Sequence, residues 1–290
     1  MTVAADNLYT TQPNLSKAIK KLETDVGLTI FRRTPKGLVP TKRGAQFLGR
    51  AGTILDQLDE LEAQYRPTGK TRIGFSVSAP RASYIAYSFT RFVHSLGGAD
   101  ELNLDFKETN SLATISSVAQ REYKLGIIRY PAAQEEYIGR LLSEKELRCH
   151  MLWEFEPLLL FSAQHPLAHQ ESIRESDLET SILLEHGDLS GPYSPPEKSI
   201  QNAPRRIFVY ERGSQFDLLQ SVPGTYIWVS PVPEEILRRN GLVQRRCHRQ
   251  AQHMRDAVIY PKSGELSDLD KSFIVRVTGT VHELALSDYH

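Results

Sequence analysis

The chain has 290 residues, which at roughly 150 residues per domain predicts two domains. Its 40% hydrophobic and 24% charged residues are typical of a globular protein and exclude collagen-like, low-complexity and generally disordered chains. Two cysteines, Cys149 and Cys247, exclude a disulfide framework, and no apolar run reaches the ~18 residues of a membrane-spanning helix. The first residues lack the apolar core of a signal peptide, so we expect a cytoplasmic protein without a membrane partner.

The net charge of zero hides a strong asymmetry along the chain. Residues 1–50 hold nine lysine and arginine residues against three acidic ones, a charge of +6, which leaves −6 for the other 240 residues. A basic N-terminal segment joined to an acidic remainder indicates a module that binds a polyanion such as a nucleic acid.

The first predicted elements are two helices joined by a turn. Residues 3–8 fit a short helix and residues 9–10 a turn, after which Thr11 can cap a second helix with Pro13 in its first turn. This order predicts a helix-turn-helix, although an ordinary amphipathic helix with a solvated basic face fits the same spacing. The expected buried face of the second helix consists of Leu15, Ala18, Ile19 and Leu22.

A basic hairpin, or wing, is predicted after the second helix. Residues 27–33 and 38–41 fit two strands that flank a turn at residues 34–37. The wing carries Arg32, Arg33 and Lys36, whose charges suit phosphate oxygens or a DNA minor groove.

A long helix is predicted next, over residues 42–65, with Thr41 as its N-cap. Its apolar residues recur at alternating spacings of four and three, which is the seam pattern of a coiled coil. The narrow seam favours pairing of two subunits, and packing on the core of its own domain is the alternative. Residues 66–70 then break the helix and form a linker. The seam consists of Phe47, Ala51, Ile54, Leu58, Leu61 and Tyr65.

The rest of the chain alternates strand-like and helix-like patterns, which predicts βαβ units with parallel strands. The expected strands cover residues 72–78, 102–108, 124–129, 157–162, 181–185, 206–211 and 225–230. The expected helices cover residues 82–96, 111–122, 213–221 and 233–239. The C-terminal segment is ambiguous, because Phe273 and Val277 belong both to a helical stripe and to a strand-like alternation.

Residues 10–48, TTQPNLSKAIKKLETDVGLTIFRRTPKGLVPTKRGAQFL, resemble the winged helix-turn-helix of LysR-type transcriptional regulators. The resemblance implies an α/β protein with a winged helix-turn-helix over residues 1–41 and a linker and dimerisation helix over residues 42–66. It implies a two-subdomain effector-binding domain, like periplasmic binding proteins, over residues 70–290, and it favours a final helix over residues 268–286. Family members carry one more helix ahead of the motif, so a complete helical core needs residues upstream of Met1.

The resemblance also implies a homodimer, or a homotetramer, that contacts promoter DNA. Glutamine can read adenine in the major groove, whereas lysine, serine and a helix N-terminus suit phosphates. The residues expected to contact DNA are Thr11, Gln12, Pro13, Ser16, Lys17, Lys20, Arg32, Arg33, Lys36 and Thr41.

The effector of such a domain is expected where strands end and helices begin. Small polar residues gather at these predicted positions, and their hydroxyl and N–H groups favour a carboxylate or another small anion. Helix capping alone is the alternative explanation for each of them. The residues expected to contact the effector are Ser78, Arg81, Ser83, Thr109, Asn110, Ser111, Arg129, Ser214 and Ser230.

The sequence contains no recognisable motif of catalysis or metal binding. The pairs at residues 149–150 and 247–248 join one cysteine to one histidine, which is short of a full metal ligand set. We therefore expect no enzyme, no catalytic residue, no metal and no cofactor. The sequence favours a DNA-binding transcriptional regulator that responds to a small molecule. The alternative is a dimeric small-molecule-binding protein whose DNA-binding module is truncated and inactive.

Overall fold

The computed structural model describes residues 11–34, 37–65, 72–170, 172–188, 203–248 and 253–286, without the side chains of residues 53 and 56–65. The chain forms two compact units, Met1–Gly69 with Gln120–Glu122, and Lys70–Ala119 with Tyr123–His290. The helix expected at residues 3–8, the turn at residues 9–10 and the linker at residues 66–70 lie outside the described residues. Within the described ranges, no helix is long and apolar enough to cross a membrane.

The first unit consists of two helices and an antiparallel hairpin: α1 (Gln12–Val26), β1 (Phe31–Thr34), β2 (Gly37–Pro40) and α2 (Lys42–Tyr65). Thr11 caps α1, since the Asn14 N–H donates to its hydroxyl at 3.4 Å, and Gly27 ends the helix in a left-handed conformation at φ 63°. Thr41 caps α2 by accepting the Gly44 N–H at 2.8 Å. The sequence predicted both caps and the helix, strand, strand and helix order.

The buried face predicted for α1 is only partly present. Leu15 and Ile19 are half-buried, whereas Ala18 is exposed and Leu22 is 41% exposed, so the expectation is wrong for the last two. The described hydrogen bonds that tie α1 to the wing come from Glu23, near its C-terminal end. The buried face of α1 is therefore smaller than its apolar spacing predicts.

The second unit contains twelve strands and six helices among its described residues. The first part of the unit holds β3 (Arg72–Ala79), α3 (Ser83–Ser95), β4 (Glu101–Glu108), α4 (Ser111–Ala119), β5 (Leu125–Pro131), α5 (Glu135–Glu144) and β6 (Leu147–Phe155). The middle part holds β7 (Leu158–Ser162), β8 (Ile173–Arg174), β9 (Ile182–His186), β10 (Arg206–Val209), α6 (Gly213–Ser221) and β11 (Thr225–Val229). The last part holds α7 (Glu234–Arg239), β12 (Leu242–Arg245), β13 (Cys247–His248), β14 (Met254–Pro261) and α8 (Asp268–Ala285).

Two five-stranded sheets divide the second unit into two subdomains. The order is β4-β3-β5-β14-β6 in the first sheet and β10-β9-β11-β7-β12 in the second, while β8 pairs with β13 separately. The chain enters the second sheet at β7 and returns to the first with β14. This double crossing gives the two-subdomain α/β architecture that the resemblance implied.

Both sheets are mixed, whereas the alternating pattern predicted parallel strands. The parallel pairs are β3 with β4 and β5, and β9 with β10 and β11. By contrast, β14 runs antiparallel to β5 and β6, and β7 runs antiparallel to β11 and β12. The antiparallel strands are those by which the chain passes between the sheets.

The first subdomain has its main core between the sheet and the helices α3 and α8. The rings of Phe75, Phe92 and Phe273 lie 4.8 to 5.5 Å apart within it. Ser267 and Asp270 form a capping box at the start of α8, which confirms the final helix favoured by the resemblance. Burial of its apolar stripe settles the helix-or-strand ambiguity in favour of the helix.

Candidate functional site

The polar residues of α1 form an exposed surface. Gln12, Lys17 and Lys20 are exposed and Ser16 is half-buried. Residues four positions apart share one face of a helix, so Gln12, Ser16 and Lys20 form one row. Pro13 is exposed in the first turn beside this row.

Two of the expected DNA contacts have structural tasks in the first unit. The Thr11 hydroxyl caps α1, as described above. The Thr41 hydroxyl accepts the Gly44 N–H and donates to the carbonyl of Thr29 at 2.8 Å, so it fastens α2 to the chain that precedes β1. Both side chains therefore shape the unit through local hydrogen bonds.

The wing carries its positive charge on exposed side chains. Arg32 and Arg33 are exposed on β1, opposite Val39 and Leu38 of β2. Successive side chains of a strand point to opposite faces, so these two arginines lie on opposite faces of the hairpin. Lys36 lies outside the described residues.

Glu23 is a structural residue that sequence reasoning did not single out in this unit. One of its carboxylate oxygens accepts the backbone N–H groups of Ile30 at 2.7 Å and Phe31 at 2.9 Å. These two N–H groups open the strand β1, so a side chain of α1 fixes where the wing begins. A carboxylate bound by two N–H groups is a strong, charge-assisted link.

The C-terminal ends of strands β3 and β9 face each other in the second unit. Arg81 follows β3, and its guanidinium binds both carboxylate oxygens of Asp188 at 2.7 and 2.9 Å. Asp188 follows β9, so this ion pair joins the two subdomains. Asn110 adds a further bond, because its side-chain amide donates to the main-chain carbonyl of Asp188 at 3.0 Å. We call the surroundings of Arg81, Asn110 and Asp188 the cleft.

Asn110 also caps the helix that begins at the cleft. Its side-chain oxygen accepts the Ala113 N–H at 2.9 Å, which positions its amide toward Asp188. Ser78, fully buried at the end of β3, hydrogen-bonds the Thr114 hydroxyl at 3.0 Å and so holds the same helix, α4, against the sheet. The expected residues Arg81 and Asn110 thus meet on one residue, Asp188, whose carboxylate binds Arg81 and whose main-chain carbonyl binds Asn110. Ser78 supports this arrangement through α4.

A second buried ion pair lies within the first subdomain. Arg129 binds Asp256 through two hydrogen bonds of 2.8 and 2.7 Å, and Tyr84 donates to the same carboxylate at 2.6 Å. Burial and the neighbouring carboxylate raise the pKa of Tyr84 well above its usual value. Ser111 bonds the main chain of Arg129 on both its N–H and its carbonyl, so α4 and β5 are tied at this point.

The remaining expected effector residues are spread around the strand ends. Thr109 donates its N–H to the carbonyl of Ala79, and Ser83 is buried at the start of α3. Ser214, in the first turn of α6, donates its N–H and its hydroxyl to Glu211. Ser230 is buried just after β11.

His186, the last residue of β9, lies in the electrostatic field of the cleft arginines. Burial and the charge of Arg81 lower the pKa of His186 to about 4, so its ring is uncharged at neutral pH. Sequence reasoning missed both His186 and Asp188. They follow a predicted strand, but their partners are far away in the sequence, so no local pattern identifies them. Among the described residues, no cluster of histidine, cysteine and carboxylate side chains could hold a metal ion.

Comparison with known proteins places this geometry in context. Residues 1–45 match the family model described as "Bacterial regulatory helix-turn-helix protein, lysR family". The HTH-type transcriptional regulator YnfL of Escherichia coli (strain K12) is 26% identical over 181 residues, 60% of this chain and 56% of that protein. The chain therefore spans little more than half the length of this curated relative.

Solved structures match the fold over a larger share of the chain. A full-length OxyR variant from Pseudomonas aeruginosa has a TM-score of 0.60 at 18% identity, covering 98% of this chain and 92% of that one. The effector binding domain of QuiR in complex with shikimate has a TM-score of 0.51 at 14% identity, covering 73% and 99%. At these identities the two structures support the fold alone.

Proposed function

We propose that this chain, whose N-terminal module is a LysR-type helix-turn-helix, is a cytoplasmic transcriptional regulator that binds promoter DNA and responds to a small molecule. The match of residues 1–45 to the lysR-family module carries the proposal. The +6 charge of residues 1–50 supports it, since neutralising phosphates supplies most of the affinity for DNA.

In this proposal the row on α1 enters the major groove. Gln12 reads a base, because a glutamine amide can bond adenine with both its donor and its acceptor. Lys17, Lys20 and Arg32 contact phosphates on either side, which fixes the register of the module on the duplex. The exposure of Lys17, Lys20 and Arg32 in the first unit supports this division of roles.

The cleft of the second unit is the proposed effector site. It lies at the C-terminal ends of strands from two sheets, where α/β proteins commonly bind ligands. Ligand binding between subdomains can change their relative orientation and thereby the geometry of the DNA-binding modules. The effector binding domain of QuiR, which shares this fold, is in complex with the small molecule shikimate, and this agrees with a small-molecule effector for the cleft.

Two copies of the chain are proposed to pair through α2. Ile54 and Leu55 are 64% and 60% exposed within a single chain, although both are large and apolar. A seam of such residues is covered when two helices form a coiled coil. A dimer, or a tetramer of two dimers, would present paired modules to a promoter.

The function is tested by DNA binding of the full chain to the intergenic region upstream of its own gene. Fluorescence anisotropy is recorded over a salt series for the wild type, Arg32→Ala and Gln12→Ala. We expect Arg32→Ala to weaken binding to all sequences and to lower the salt slope by about 0.9, the value of one lost phosphate contact. We expect Gln12→Ala to relax the preference at one base pair, worth about 1–3 kcal/mol.

Matched controls for these variants lie in the second unit. Arg140 is a highly exposed arginine of α5, and Gln164 is an exposed glutamine after β7. Arg140→Ala and Gln164→Ala should leave affinity and salt slope unchanged. Absence of salt-dependent DNA binding by the wild-type chain would overturn the proposal. It would favour the competing function of a ligand-binding protein without DNA affinity, which the lack of a fully buried residue in α1 supports.

A further inference from the structure

Arg81 of the cleft and two further arginines of the second unit are already paired with carboxylates of the chain itself. Every pair includes a hydrogen bond of 2.7 Å, so none of these guanidinium groups is open to a ligand without competition. An anionic effector that binds one of these guanidinium groups must therefore replace one of the chain's own carboxylates. The pairs are Arg81 with Asp188, Arg129 with Asp256, and Arg212 with Glu108.

Asp188 is the carboxylate that can leave at the lowest cost to the fold. Asp256 is completely buried in the middle of the first sheet, and Glu108 is the last paired residue of β4. Asp188 lies beyond the end of β9, outside the sheet register, and its side chain is 27% exposed. Its departure breaks no strand pairing and lets water or a ligand take its place.

Arg81 is incompletely satisfied by Asp188. Its side chain is 8% exposed, and two of its nitrogens bind the Asp188 carboxylate. The buried Nε of Arg81 has no hydrogen-bond partner among the described residues. A buried donor without an acceptor is unfavourable, so a ligand that supplies one more acceptor than Asp188 gains an advantage.

His186, the last residue of β9, offers a second unsatisfied group near Asp188 in the chain. Within the described part of the chain, its buried Nδ1 has no hydrogen-bond partner. His186 precedes Asp188 by two residues at the end of β9, and the charges of Arg81 and Asp188 both act on the pKa of its ring. A hydroxyl group can both accept from an arginine and donate to, or accept from, an imidazole nitrogen.

We propose that Asp188 is a built-in competitor that occupies the carboxylate position of the effector, and that the effector is a small hydroxycarboxylic acid. Its carboxylate replaces that of Asp188 on Arg81, and its hydroxyl meets the unsatisfied Arg81 Nε and His186 Nδ1. Asp188 therefore sets both the class and the concentration of acid to which the cleft responds. This inference rests on the proposed function, since it names the effector class of the same site.

The test is binding of glycolate, the smallest hydroxycarboxylate, to the full chain by NMR titration. Asp188→Asn keeps the main-chain carbonyl that binds Asn110 and the side-chain shape, but it removes the competing charge. We expect Asp188→Asn to bind glycolate about tenfold or more tightly than the wild type. Acetate, which lacks the hydroxyl, should bind more weakly than glycolate, and the uncharged glycolamide should not bind.

The control for net charge is Glu283→Gln, which removes one carboxylate from the exposed Arg91–Glu283 pair of α3 and α8. It should leave glycolate affinity unchanged. Arg81→Lys keeps the charge but loses the two-pronged geometry, so it should weaken binding and abolish the gain from Asp188→Asn. An unchanged affinity in Asp188→Asn, or a gain that survives Arg81→Lys, would overturn the proposal. If Arg81→Lys does not fold, the comparison of glycolate affinity between Asp188→Asn and Glu283→Gln still tests the proposal.

DNA binding measured on the same preparations separates this inference from the function on which it rests. DNA binding without the gain in glycolate affinity would overturn the inference and leave the regulator intact. A gain in glycolate affinity without any DNA binding would support the carboxylate site and overturn the proposed function as a transcriptional regulator.

Discussion

At the scale of single residues, Glu23 determines how the wing joins α1. Its carboxylate is the described acceptor for the N–H groups of both Ile30 and Phe31. Backbone N–H groups at the start of a strand need an acceptor, and here the Glu23 side chain supplies the acceptor that a neighbouring strand would otherwise provide. The direction of the basic wing therefore depends on a residue that carries no positive charge itself.

Removal of this carboxylate should loosen the wing. We expect Glu23→Ala to destabilise the start of β1 by about 1–3 kcal/mol, because two partly buried donors lose their acceptor. Hydrogen-exchange mass spectrometry should show faster exchange around residues 28–34, and DNA affinity should fall with it. Asp25→Ala is the matched control, since Asp25 is exposed on the same helix. Equal exchange in the two variants would contradict this role of Glu23.

The site residues show where sequence reasoning reaches its limit. Residue type and position at a strand end or helix start were enough to single out Arg81 and Asn110, which the structure brings together at Asp188. Their shared partner Asp188 could not be predicted, since the two bonds span 107 and 78 residues. Ser78 and Ser111 were predicted on the same grounds, but their hydroxyls serve hydrogen bonds inside the fold. A hydroxyl in a sequence does not reveal whether it faces a ligand or a neighbouring element.

At the scale of elements, the sequence predicted the antiparallel strand β7 but not the antiparallel strands β6, β12 and β14. β14 is buried along most of its length and lacks the alternation that marks a half-exposed strand. β6 has the opposite character, with exposed Cys149, His150 and Met151 on an edge strand of the first sheet. Strands in the parallel part were predicted because helices of regular spacing separate them. The prediction of helix α8 depended on the family resemblance, because the apolar spacing of this segment fits both a helix and a strand.

The junction of the wing and α2 depends on a close approach at one glycine. A Cβ atom on Gly44 would lie 2.0 Å from the carbonyl oxygen of Ile30, which is far inside a normal contact. We expect Gly44→Ala to destabilise the first unit by about 1–3 kcal/mol through overpacking. Hydrogen exchange of the hairpin measures this effect without interference from the second unit.

Gly52 of the same helix provides the matched control for Gly44. A Cβ atom there would meet nothing within 4 Å in the described chain, and alanine favours helix over glycine. Gly52→Ala should therefore stabilise α2 by about 0.5–1 kcal/mol. Destabilisation of similar size in both variants would show that helix propensity, rather than the contact with Ile30, governs this junction.

At the scale of the whole molecule, the exposure of Ile54 on α2 is a feature that a single chain does not explain. Ile54 is 64% exposed, yet it occupies a regular apolar position of a 24-residue helix. We expect Ile54→Asp to convert the proposed dimer into a monomer, because a charge at a coiled-coil seam loses its hydration when two helices pair. Sedimentation velocity of the full chain measures this change directly as a halving of the mass.

The comparison variant is Val275→Asp, which adds the same charge to α8 at a residue that is 68% exposed. It should leave the dimer intact, since α8 is outside the proposed seam. A dimer that persists in Ile54→Asp but dissociates in Val275→Asp would move the subunit contact from α2 to the second unit. Paired DNA-binding modules require a contact that fixes their spacing, so DNA affinity should fall in whichever variant is monomeric.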